Sequence, residues 1–372
     1  MRQYDAKSLG LDIEEIDKRL AFNWSFPSHT YHDPDIFKFE LDAIFSNRWQ
    51  FLAPLAKLQK PGDVVTGRAG TTPIVVTRGI DGALHGFVNM CRHRGYKVVG
   101  ESGHCDRLIC GYHGWTYDLN GRLTYARSTE NDPHFHHDEL SLLPVSVDMF
   151  AQAVFVNPDP DAKRLHETHP QLESLAADSG HDLSPDSYEL RREIVTDIDA
   201  NWKLWYDNGL ECYHCRLVHA QTFGSALNID EESYQYRTVG ELSSSYTRSG
   251  GTQDGAALTT QSYFPVQIFP GCQMVWTDNM MYMAGMVPTG PESCQFTAHY
   301  LARPDADAAV VEEWIAMFDQ TFDEDKAVCE VQQEGLRTDR LTHMRYTPER
   351  EAPVIYFVRL IWDAYKRRLA TK

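Results

Sequence analysis

The sequence has no long apolar run, no excess of positive charge and no apolar leader. Its apolar stretches fall well short of the roughly 20 residues that span a bilayer, so no membrane partner is expected. With 53 acidic against 35 basic side chains, the formal charge is −18, which offers no basic surface for the phosphates of nucleic acid. The N-terminal segment is polar and lacks the core of a signal peptide, so we expect a cytoplasmic protein.

The composition that remains is that of a folded, thiol-containing protein. Its 372 residues leave room for two domains, and 42% hydrophobic with 12% aromatic residues indicates large cores. Eight cysteines without an export signal favour reduced thiols and metal ligands over disulfides.

Hydrophobic periodicity first divides the N-terminal half. Residues 35–51 carry apolar side chains at helical spacing. From Pro61 the period changes to two, with turns such as Asp81-Gly82, which predicts a compact all-β unit over about 50–155. A linker rich in Pro, Asp and His follows at about 157–190. Six histidines in this region lack ligand spacing and are interpreted as surface residues: His134, His136, His137, His166, His169 and His181.

The C-terminal half combines strands with a long helix. Alternating segments over about 232–303 predict an antiparallel sheet, interrupted at 240–262 by a Gly/Ser-rich stretch that we interpret as a mobile loop with little to bury. Residues 307–336 show a helical pattern that stops at Gly335. The predicted fold class is therefore α+β, with an all-β domain followed by an antiparallel sheet flanked by helices.

Two turns of the β unit carry paired metal-ligand residues. Cys91 and His93 lie in one turn, and Cys110 and His113 lie in another. Zinc is one candidate for two thiolates and two imidazoles, although zinc fingers usually pair two Cys on one side and two His on the other. One Cys and one His from each loop suit a two-iron cluster with different ligands on each iron, which is the Rieske [2Fe–2S] arrangement. Cys105, between the pairs, is interpreted as a core thiol.

A second group of ligand residues lies in the stretch NWKLWYDNGLECYHCRLVH at 201–219. Glu211 and His214 are three residues apart and share a helical face. His214 and His219 are five apart and would diverge by roughly 140° on a regular helix, so both reach one metal only if the helix ends or bulges between them. The alternative is a half-buried helix with incidental histidines.

The long helix supplies a candidate third ligand. Its apolar stripe includes position 325, which holds Asp325. A buried carboxylate needs a partner or a metal, because burying it alone is costly. Two His and one carboxylate form the facial triad of non-haem Fe(II) oxygenases, so His214, His219 and Asp325 are the predicted set. A salt-bridging Asp is the alternative, and Asp323 and Glu324 fall off the stripe and are expected to be solvated.

These motifs resemble the α subunits of Rieske non-haem iron oxygenases over the whole chain. NMCRHRGYKV and CGYHGWTYDLNGRL are similar to the Rieske loops of that family, and NWK, DN and ECYHCRLVH to its iron segment. The resemblance implies an N-terminal helical segment at 1–49 that packs on the catalytic domain, a Rieske domain at 50–157 and a catalytic domain at 158–372. It also implies that Cys91, His93, Cys110 and His113 bind the cluster and that His214 and His219 bind mononuclear Fe(II).

The same resemblance assigns further residues and partners. Glu211 corresponds to the family's electron-transfer bridge, Asn208 to the asparagine of its motif, and Asp325 and Glu330 to a late pair of acids. The family implies a homotrimer in which electrons cross from the cluster of one subunit to the iron of its neighbour. O₂ is then a co-substrate with a small molecule. Electrons come from NAD(P)H through a separate reductase, with or without a ferredoxin, since the chain has no GxGxxG motif.

The bridge residue suggests a branch. Naphthalene-type dioxygenases carry Asp there, whereas Glu211 within ECYHC resembles the choline, glycine betaine and carnitine monooxygenases. We therefore predict monooxygenation with N-dealkylation. Dihydroxylation of an aromatic ring, aromatic O-demethylation and, more remotely, pure electron transfer are the alternatives. Cys212 and Cys215 are interpreted as packing residues. Four aromatic residues can form a cage for a cation, hold a flat ring or belong to the sheet core: Phe264, Phe269, Trp276 and Tyr282.

Overall fold

The computed structural model describes residues 3–180, 184, 187–226, 235–248, 262–338 and 340–371. The chain divides into two compact units, one of residues 45–168 and one of residues 1–44 with 169–372. The sequence prediction puts the divisions at 49/50 and 157/158.

Helices and strands alternate irregularly along the chain. The helices are α1 Ile13–Ala21, α2 Pro34–Glu40, α3 Leu165–Thr168, α4 Gln171–Ser179, α5 Trp202–Asn208, α6 Cys215–Val218, α7 Phe223–Ala226, α8 Ala308–Leu336 and α9 Ala352–Ala370. The strands of the first sheet-forming region are β1 Gln50–Pro54, β2 Asp63–Ala69, β3 Thr72–Arg78, β4 Leu84–Val88, β5 Gly103–His104, β6 Leu108–Ile109, β7 Thr116–Tyr117, β8 Leu123–Tyr125, β9 Pro144–Phe150 and β10 Ala153–Asn157. Those of the second are β11 Glu189–Ile198, β12 Gln235–Val239, β13 Leu242–Arg248, β14 Ser262–Ile268, β15 Cys272–Thr277, β16 Met280–Gly290 and β17 Ser293–Ala302.

The 45–168 unit is built from two antiparallel sheets. The larger has the strand order β1-β10-β9-β4-β3-β2-β5, and β6, β7 and β8 form the smaller one. Apolar side chains from both sheets bury a common core that includes Val64, Val75 and Tyr117. The loop after β4 and the loop between β6 and β7 carry the two Cys/His pairs, so this core fixes the base of both loops.

The other unit contains one antiparallel sheet with the order β11-β17-β16-β15-β14-β13-β12. Helix α5 packs against α8 and β16. Asp307 caps α8 by accepting a hydrogen bond from the backbone N–H of Ala309, and the helix runs to Leu336 as the periodicity predicts. These contacts bring the 201–219 segment beside the middle of α8.

A buried ion pair anchors the start of α5. Lys203 Nζ lies 2.5 Å from Glu40 Oε1 and donates to the carbonyl of Thr30 at 2.9 Å. Trp202 Nε1 donates to the other Glu40 oxygen at 2.8 Å, and the Tyr365 hydroxyl also donates to Glu40. Removal of either charge would leave its partner buried and unpaired, which is strongly destabilising. The network therefore fixes the position of α5.

Three sequence predictions about structure are wrong. The helix predicted for 35–51 ends as α2 at Glu40, passes through a π-helical turn at Leu41–Phe45 and gives way to β1. His169 is buried, 4% exposed, and pairs with Glu241 at 3.5 Å. The first part of the predicted loop at 240–262 is strand β13, in which Ser243, Ser244 and Ser245 are buried, because β13 is an inner strand paired with β12 and β14. The rest of that loop, 249–261, and His181 lie outside the described residues.

Among the described residues, no helix is both long and apolar enough to cross a membrane.

Candidate active site

The two Cys/His loops of the 45–168 unit have matching backbones. In each loop the glycine four residues after the cysteine donates its N–H to the cysteine carbonyl, at 2.9 Å for Gly95 and 3.0 Å for Gly114. These glycines have φ of +70° and +72°, a left-handed conformation that glycine adopts without a steric penalty. The predicted pairs therefore lie on two similar turns.

The structure brings the four predicted cluster residues together. The His93 and His113 ring centroids are 4.6 Å apart, and both rings are exposed. The Cys91 and Cys110 thiols are buried and interact with each other, and burial raises the pKa of Cys110. The Tyr117 hydroxyl lies 3.3 Å from the Cys91 sulfur. Two buried sulfurs beside two exposed imidazoles fit a cluster with thiolates on one iron and histidines on the other.

The second site depends on where a short helix begins and ends. Helix α5 ends at Asn208, and α6 is a single turn in which His214 is the N-cap and His219 the C-cap. The two histidines flank this turn, so they are not held to the 140° divergence of a continuous helix. Their Nε2 atoms are 3.2 Å apart. The predicted end or bulge does not lie between the histidines: residues 215–218 are helical, and the helix instead ends at His219.

Asp325 completes a cluster of three ligand atoms. Its Oδ1 lies 2.9 Å from His219 Nε2 and 3.4 Å from His214 Nε2. Three ligands bonded to one ion at about 2.1 Å and at right angles would be about 3.0 Å apart, so the spacing fits a facial triad. Oδ1 is buried, and its polar neighbours among the described residues are these two imidazole nitrogens, which are themselves metal-ligand atoms. The residues present therefore fit a metal ion.

The electrostatics of this cluster also favour a cation. Burial alone would lower the pKa of His214, but the carboxylates of Asp325 and Glu211 raise it to about 10. Burial likewise opposes a charge on His219, yet Asp325 and Glu324 raise its pKa. Burial would raise the pKa of Asp325, and the two imidazoles hold it below its usual range. The carboxylates thus stabilise a positive charge at this cluster. A divalent ion would supply that charge, and its binding would release the protons of the imidazoles.

Glu211 and Asn208, the two predicted catalytic residues, lie beside the triad. Glu211 Oε1 is 2.5 Å from His214 Nδ1, and its other oxygen accepts a hydrogen bond from the backbone N–H of Tyr213. Glu211 therefore orients His214 from the side away from the ligand atoms. Asn208 is half-buried and lines the same cavity.

The sequence prediction missed Glu324. The expectation that it is solvated is wrong: its Oε2 lies 2.7 Å from His219 Nδ1 and accepts a hydrogen bond from the Thr222 hydroxyl at 2.9 Å. Its Oε1 accepts from Gln320 at 2.9 Å. Glu324 belongs to α8 and lies next to Asp325, and this adjacency was the available signal. Each triad histidine thus has one carboxylate on its Nδ1. The family-implied Glu330 instead accepts from the backbone N–H of Asp199 at 3.0 Å.

The two cysteines that flank His214 are joined. Cys212 and Cys215 form a disulfide, so their interpretation as reduced packing residues is wrong. Their three-residue separation and the turn into α6 bring the Cα atoms to 4.9 Å, within the range that a disulfide spans. Cys215 Sγ lies near the histidine ligand atoms, but a disulfide sulfur is not a thiolate ligand.

A cavity opens next to the triad, and eight of its described lining residues are Phe, Tyr or Trp. Trp205, Tyr263, Tyr282, Phe296, Phe318 and Phe322 contribute to its wall. Of the four aromatic residues proposed from the sequence, only Tyr282 is among them. Phe264 and Trp276 are buried partners in the sheet, with centroids 6.2 Å apart, and Phe269 packs on Phe357. Half of these six rings come from α5 and α8, and the other half from strands β14, β16 and β17.

Comparison with known families identifies both units. Residues 48–150 match the Rieske [2Fe-2S] domain, and residues 185–367 match the ring hydroxylating alpha subunit (catalytic domain). The chain belongs to the α subunits of the Rieske non-haem iron oxygenases. Its cofactors are a Rieske [2Fe–2S] cluster and a mononuclear iron. The predicted family, α+β fold and cofactors are therefore confirmed.

The names of individual relatives refer to carnitine, to choline or to quaternary ammonium compounds. The chain is 33% identical over 231 residues to the carnitine monooxygenase oxygenase subunit of Acinetobacter pittii, which covers 61% of each chain. It is 29% identical over 338 residues to the chloroplastic choline monooxygenase of Atriplex hortensis, covering 89% of this chain and 76% of that one. The alignment with the carnitine enzyme thus spans less than two thirds of its length. Among solved structures, the quaternary ammonium Rieske monooxygenase CntA in complex with an inhibitor matches with a TM-score of 0.85 and 26% identity over 94% of this chain and 98% of that chain.

Proposed function

We propose that this protein is the terminal oxygenase of a multicomponent Rieske system and hydroxylates a carbon next to nitrogen in a small molecule, with N-dealkylation as the outcome. The observation that carries the proposal is the convergence of His214 Nε2, His219 Nε2 and Asp325 Oδ1 at 2.9–3.4 Å beside an aromatic cavity. A protein that only carries electrons does not require such an open ligand set.

The proposed ligand assignments follow the geometry. His214, His219 and Asp325 hold the mononuclear iron, and Cys91, His93, Cys110 and His113 hold the cluster. Iron bound by a facial triad keeps open positions at which O₂ is activated. Glu211 and Glu324 fix the ring orientation and tautomer of the two histidines, so that each presents Nε2 to the metal. The aromatic wall excludes water from the reacting carbon.

Electron delivery requires partners. We assign Glu211 the role of a bridge between His214 and a cluster histidine of a neighbouring subunit, which requires a head-to-tail homotrimer. The protein would work in the cytoplasm with an NAD(P)H-dependent reductase, with or without a ferredoxin. Asn208, which lines the cavity next to this bridge, is proposed to position the substrate or the bridge.

The nitrogen preference is supported by the Glu in ECYHC and by the names of the relatives. Hydroxylation of an N-methyl C–H bond inserts one oxygen atom of O₂ and gives a carbinolamine. When the nitrogen has a lone pair, the C–N bond of the carbinolamine breaks to release the dealkylated amine and formaldehyde. The other oxygen atom leaves as water, with two electrons supplied through the reductase and two protons from solvent.

Labelling with ¹⁸O₂ tests the reaction. The iron-loaded protein, a surrogate reductase and NADH are supplied with tertiary and quaternary amines, and products are measured by mass together with O₂ uptake. We expect one labelled atom in the hydroxylated product, trapped as its aldehyde before exchange with water, and one equivalent of dealkylated amine. The aromatic cavity wall also suits a flat ring, so aromatic substrates form the second arm. A cis-diol that carries two labels would overturn the monooxygenase proposal in favour of ring dihydroxylation.

A further inference from the structure

The disulfide holds a sulfur atom beside the two triad histidines. Cys215 follows His214 directly and lies four residues before His219, so Cys215 and His219 share a face of α6. The Cys215 sulfur and one ring nitrogen of each histidine lie within 4.8 Å of one another. Cys215 is buried and lines the cavity next to the triad. One short turn of the chain thus brings a sulfur and two imidazoles within reach of a single ion.

The sulfur is close to the range in which it could bind the same ion as the histidines. In a tetrahedral zinc site a thiolate bonds at about 2.3 Å and an imidazole at about 2.1 Å, so the sulfur and the nitrogen are about 3.6 Å apart. The Nε2 atoms of His214 and His219, 3.2 Å apart, already have the spacing of two ligands. A shift of the sulfur by roughly 1 Å would complete the set. The bond to Cys212 opposes this shift and removes the thiolate, which is the form that binds metal.

Backbone contacts hold the two cysteines in place independently of the disulfide. The Cys212 N–H donates to the Tyr236 hydroxyl at 3.1 Å, and the Cys215 N–H donates to the Cys212 carbonyl at 3.4 Å. Gly224 packs so closely on the Cys215 carbonyl that a side chain would not fit there, and its N–H donates to the His219 carbonyl at 2.8 Å. Cleavage of the S–S bond therefore frees the Cys215 side chain while the backbone that carries it stays in place.

The freed sulfur changes the metal that the two histidines prefer. Two imidazoles and a carboxylate suit Fe(II), whereas a soft thiolate selects zinc, which also stands above Fe(II) in the general order of affinities. Asp325 Oδ1, 2.9 Å and 3.4 Å from the two Nε2 atoms, would be a fourth donor. Four protein ligands are typical of closed zinc sites, which keep no position for another molecule. A free Cys215 thiolate would thus turn the proposed iron site into a closed zinc site.

We propose that the Cys212–Cys215 disulfide keeps a thiolate out of the iron site, and that its reduction creates a zinc site formed by Cys215, His214 and His219. The inference rests on the iron ligands proposed above. A dithiol supplies the two electrons and two protons that cleave the S–S bond, and it is itself oxidised to a disulfide. Cys215 then gives up its thiol proton to bind Zn²⁺. Disulfides in a reducing compartment are commonly redox-sensing, which agrees with a bond whose state decides the metal.

X-ray absorption at the zinc edge tests this inference without turnover. The cluster-loaded protein is freed of mononuclear iron by a chelator and receives one equivalent of Zn²⁺, either untreated or after reduction by dithiothreitol and its removal under argon. The zinc edge does not report the cluster irons. We expect only nitrogen and oxygen neighbours in the untreated protein, and one sulfur neighbour at about 2.3 Å after reduction. A sulfur neighbour before reduction, or none after it, would overturn the proposal.

Two matched variants assign the sulfur. Cys212→Ser removes the disulfide and leaves the Cys215 thiol free, whereas Cys215→Ser removes both the disulfide and the proposed ligand. Without any reductant, Cys212→Ser should show the zinc–sulfur neighbour and bind Zn²⁺ at least about 10-fold more tightly than Cys215→Ser, because only Cys212→Ser keeps the soft ligand. Competition with a chelator measures both affinities. A sulfur neighbour in Cys215→Ser, or equal affinities in the two variants, would show that Cys215 is not the ligand.

The reduced wild type keeps the test independent of whether either variant folds. Failure of the proposed function has a separate signature, because N-dealkylation is scored on the iron-loaded protein with its disulfide intact. Absence of dealkylation would contradict the proposed reaction and leave the zinc–sulfur result standing. Absence of the sulfur neighbour after reduction would contradict the zinc site and leave the proposed reaction standing.

Discussion

His219 Nδ1 and Glu324 Oε2 are 2.7 Å apart, and this pair joins α6 to α8 directly behind the proposed iron site. Glu211 contacts His214 Nδ1 at 2.5 Å in the same way. The two carboxylates therefore orient the two imidazoles from opposite ends of a one-turn helix. Glu211 and Glu324 form an outer layer around the inner layer of three proposed ligands, His214, His219 and Asp325. Each layer can be tested separately.

The inner layer is tested at Asp325. Asp325→Ala should lose the mononuclear iron and all turnover, because two histidines alone no longer form a triad. The cluster spectrum should persist, since the cluster residues lie in the other unit. Iron analysis with EPR measures both centres. Asp323→Ala, two residues earlier and exposed, is the matched control and should keep both. Full mononuclear occupancy in Asp325→Ala would show that another acid is the ligand.

The outer layer is tested at Glu324. Glu324→Ala should weaken iron binding about 10–100-fold, because His219 loses the acceptor that holds its ring and tautomer. Glu324→Gln keeps an acceptor oxygen without the charge and should have a smaller effect. Competition with a chelator measures the affinity. Equal iron affinity in Glu324→Ala and the wild type would refute the orienting role.

Glu211 separates electron transfer from metal binding. Glu211→Gln keeps the size and an acceptor for His214 Nδ1, so both metal centres should remain. Product formation should nearly vanish if the carboxylate connects the two centres across subunits. Single-turnover product yield and cluster reoxidation measure the transfer. Near-wild-type turnover of Glu211→Gln would contradict the bridge, and loss of stability with normal activity per iron would indicate a structural acid.

The disulfide between Cys212 and Cys215 predicts a defined labelling pattern. Alkylation after denaturation without reductant should modify six cysteines, the eight of the sequence less the two in the disulfide. Peptide mass mapping should find the 212–215 pair protected until reductant is added. Loss of this short cross-link should cost at most about 2 kcal/mol, because the closed loop is small. Alkylation of both cysteines before reduction would show that they are free thiols.

Asp207 predicts the pH dependence of stability. Burial raises the pKa of Asp207 to about 8, opposed by its hydrogen bond from Tyr346 at 3.3 Å. The pKa of an Asp in the unfolded chain is about 3.9, so from about pH 4 to about pH 8 the folded state binds one proton more than the unfolded state. The free energy of unfolding therefore falls as the pH rises through this range. Asp207→Asn removes this dependence. The melting temperature of this variant, taken relative to that of the wild type, should therefore increase from pH 5 to pH 8. The corresponding relative gain in the free energy of unfolding is up to about 1.4 kcal/mol per pH unit. A constant difference in melting temperature would contradict the raised pKa.

The candidate ligand residues could be located in the sequence because their pattern is local or periodic. Cys91 and His93 share one turn, and Cys110 and His113 share another. Asp325 stood out as a carboxylate on the buried stripe of α8, where it is 8% exposed. Spacing alone could place His214 and His219 on one metal only if the helix ended or bulged, and the spacing does not show that α6 is a single turn that ends at His219.

Other features depend on contacts between distant segments and could not be predicted. Glu324 lies off the apolar stripe, and only the packing of α6 against α8 brings it to His219. The serines of β13 have no hydrophobic pattern, yet neighbouring strands on both sides bury them. The cavity wall draws residues from α5, α8 and four strands, and which face of each element meets the cavity follows from their docking.

The two histidines and Asp325 of the proposed triad are separated along the chain by strands β12 to β17, six of the seven strands of the sheet. During synthesis, the cluster loops and both histidines leave the ribosome long before Asp325 does. The second iron site cannot exist until the sheet has formed and α8 has docked across it, because closing so long a loop requires the intervening structure. The proposed mononuclear site therefore requires both the sheet and α8 to be in place, whereas each pair of cluster residues lies on one local turn.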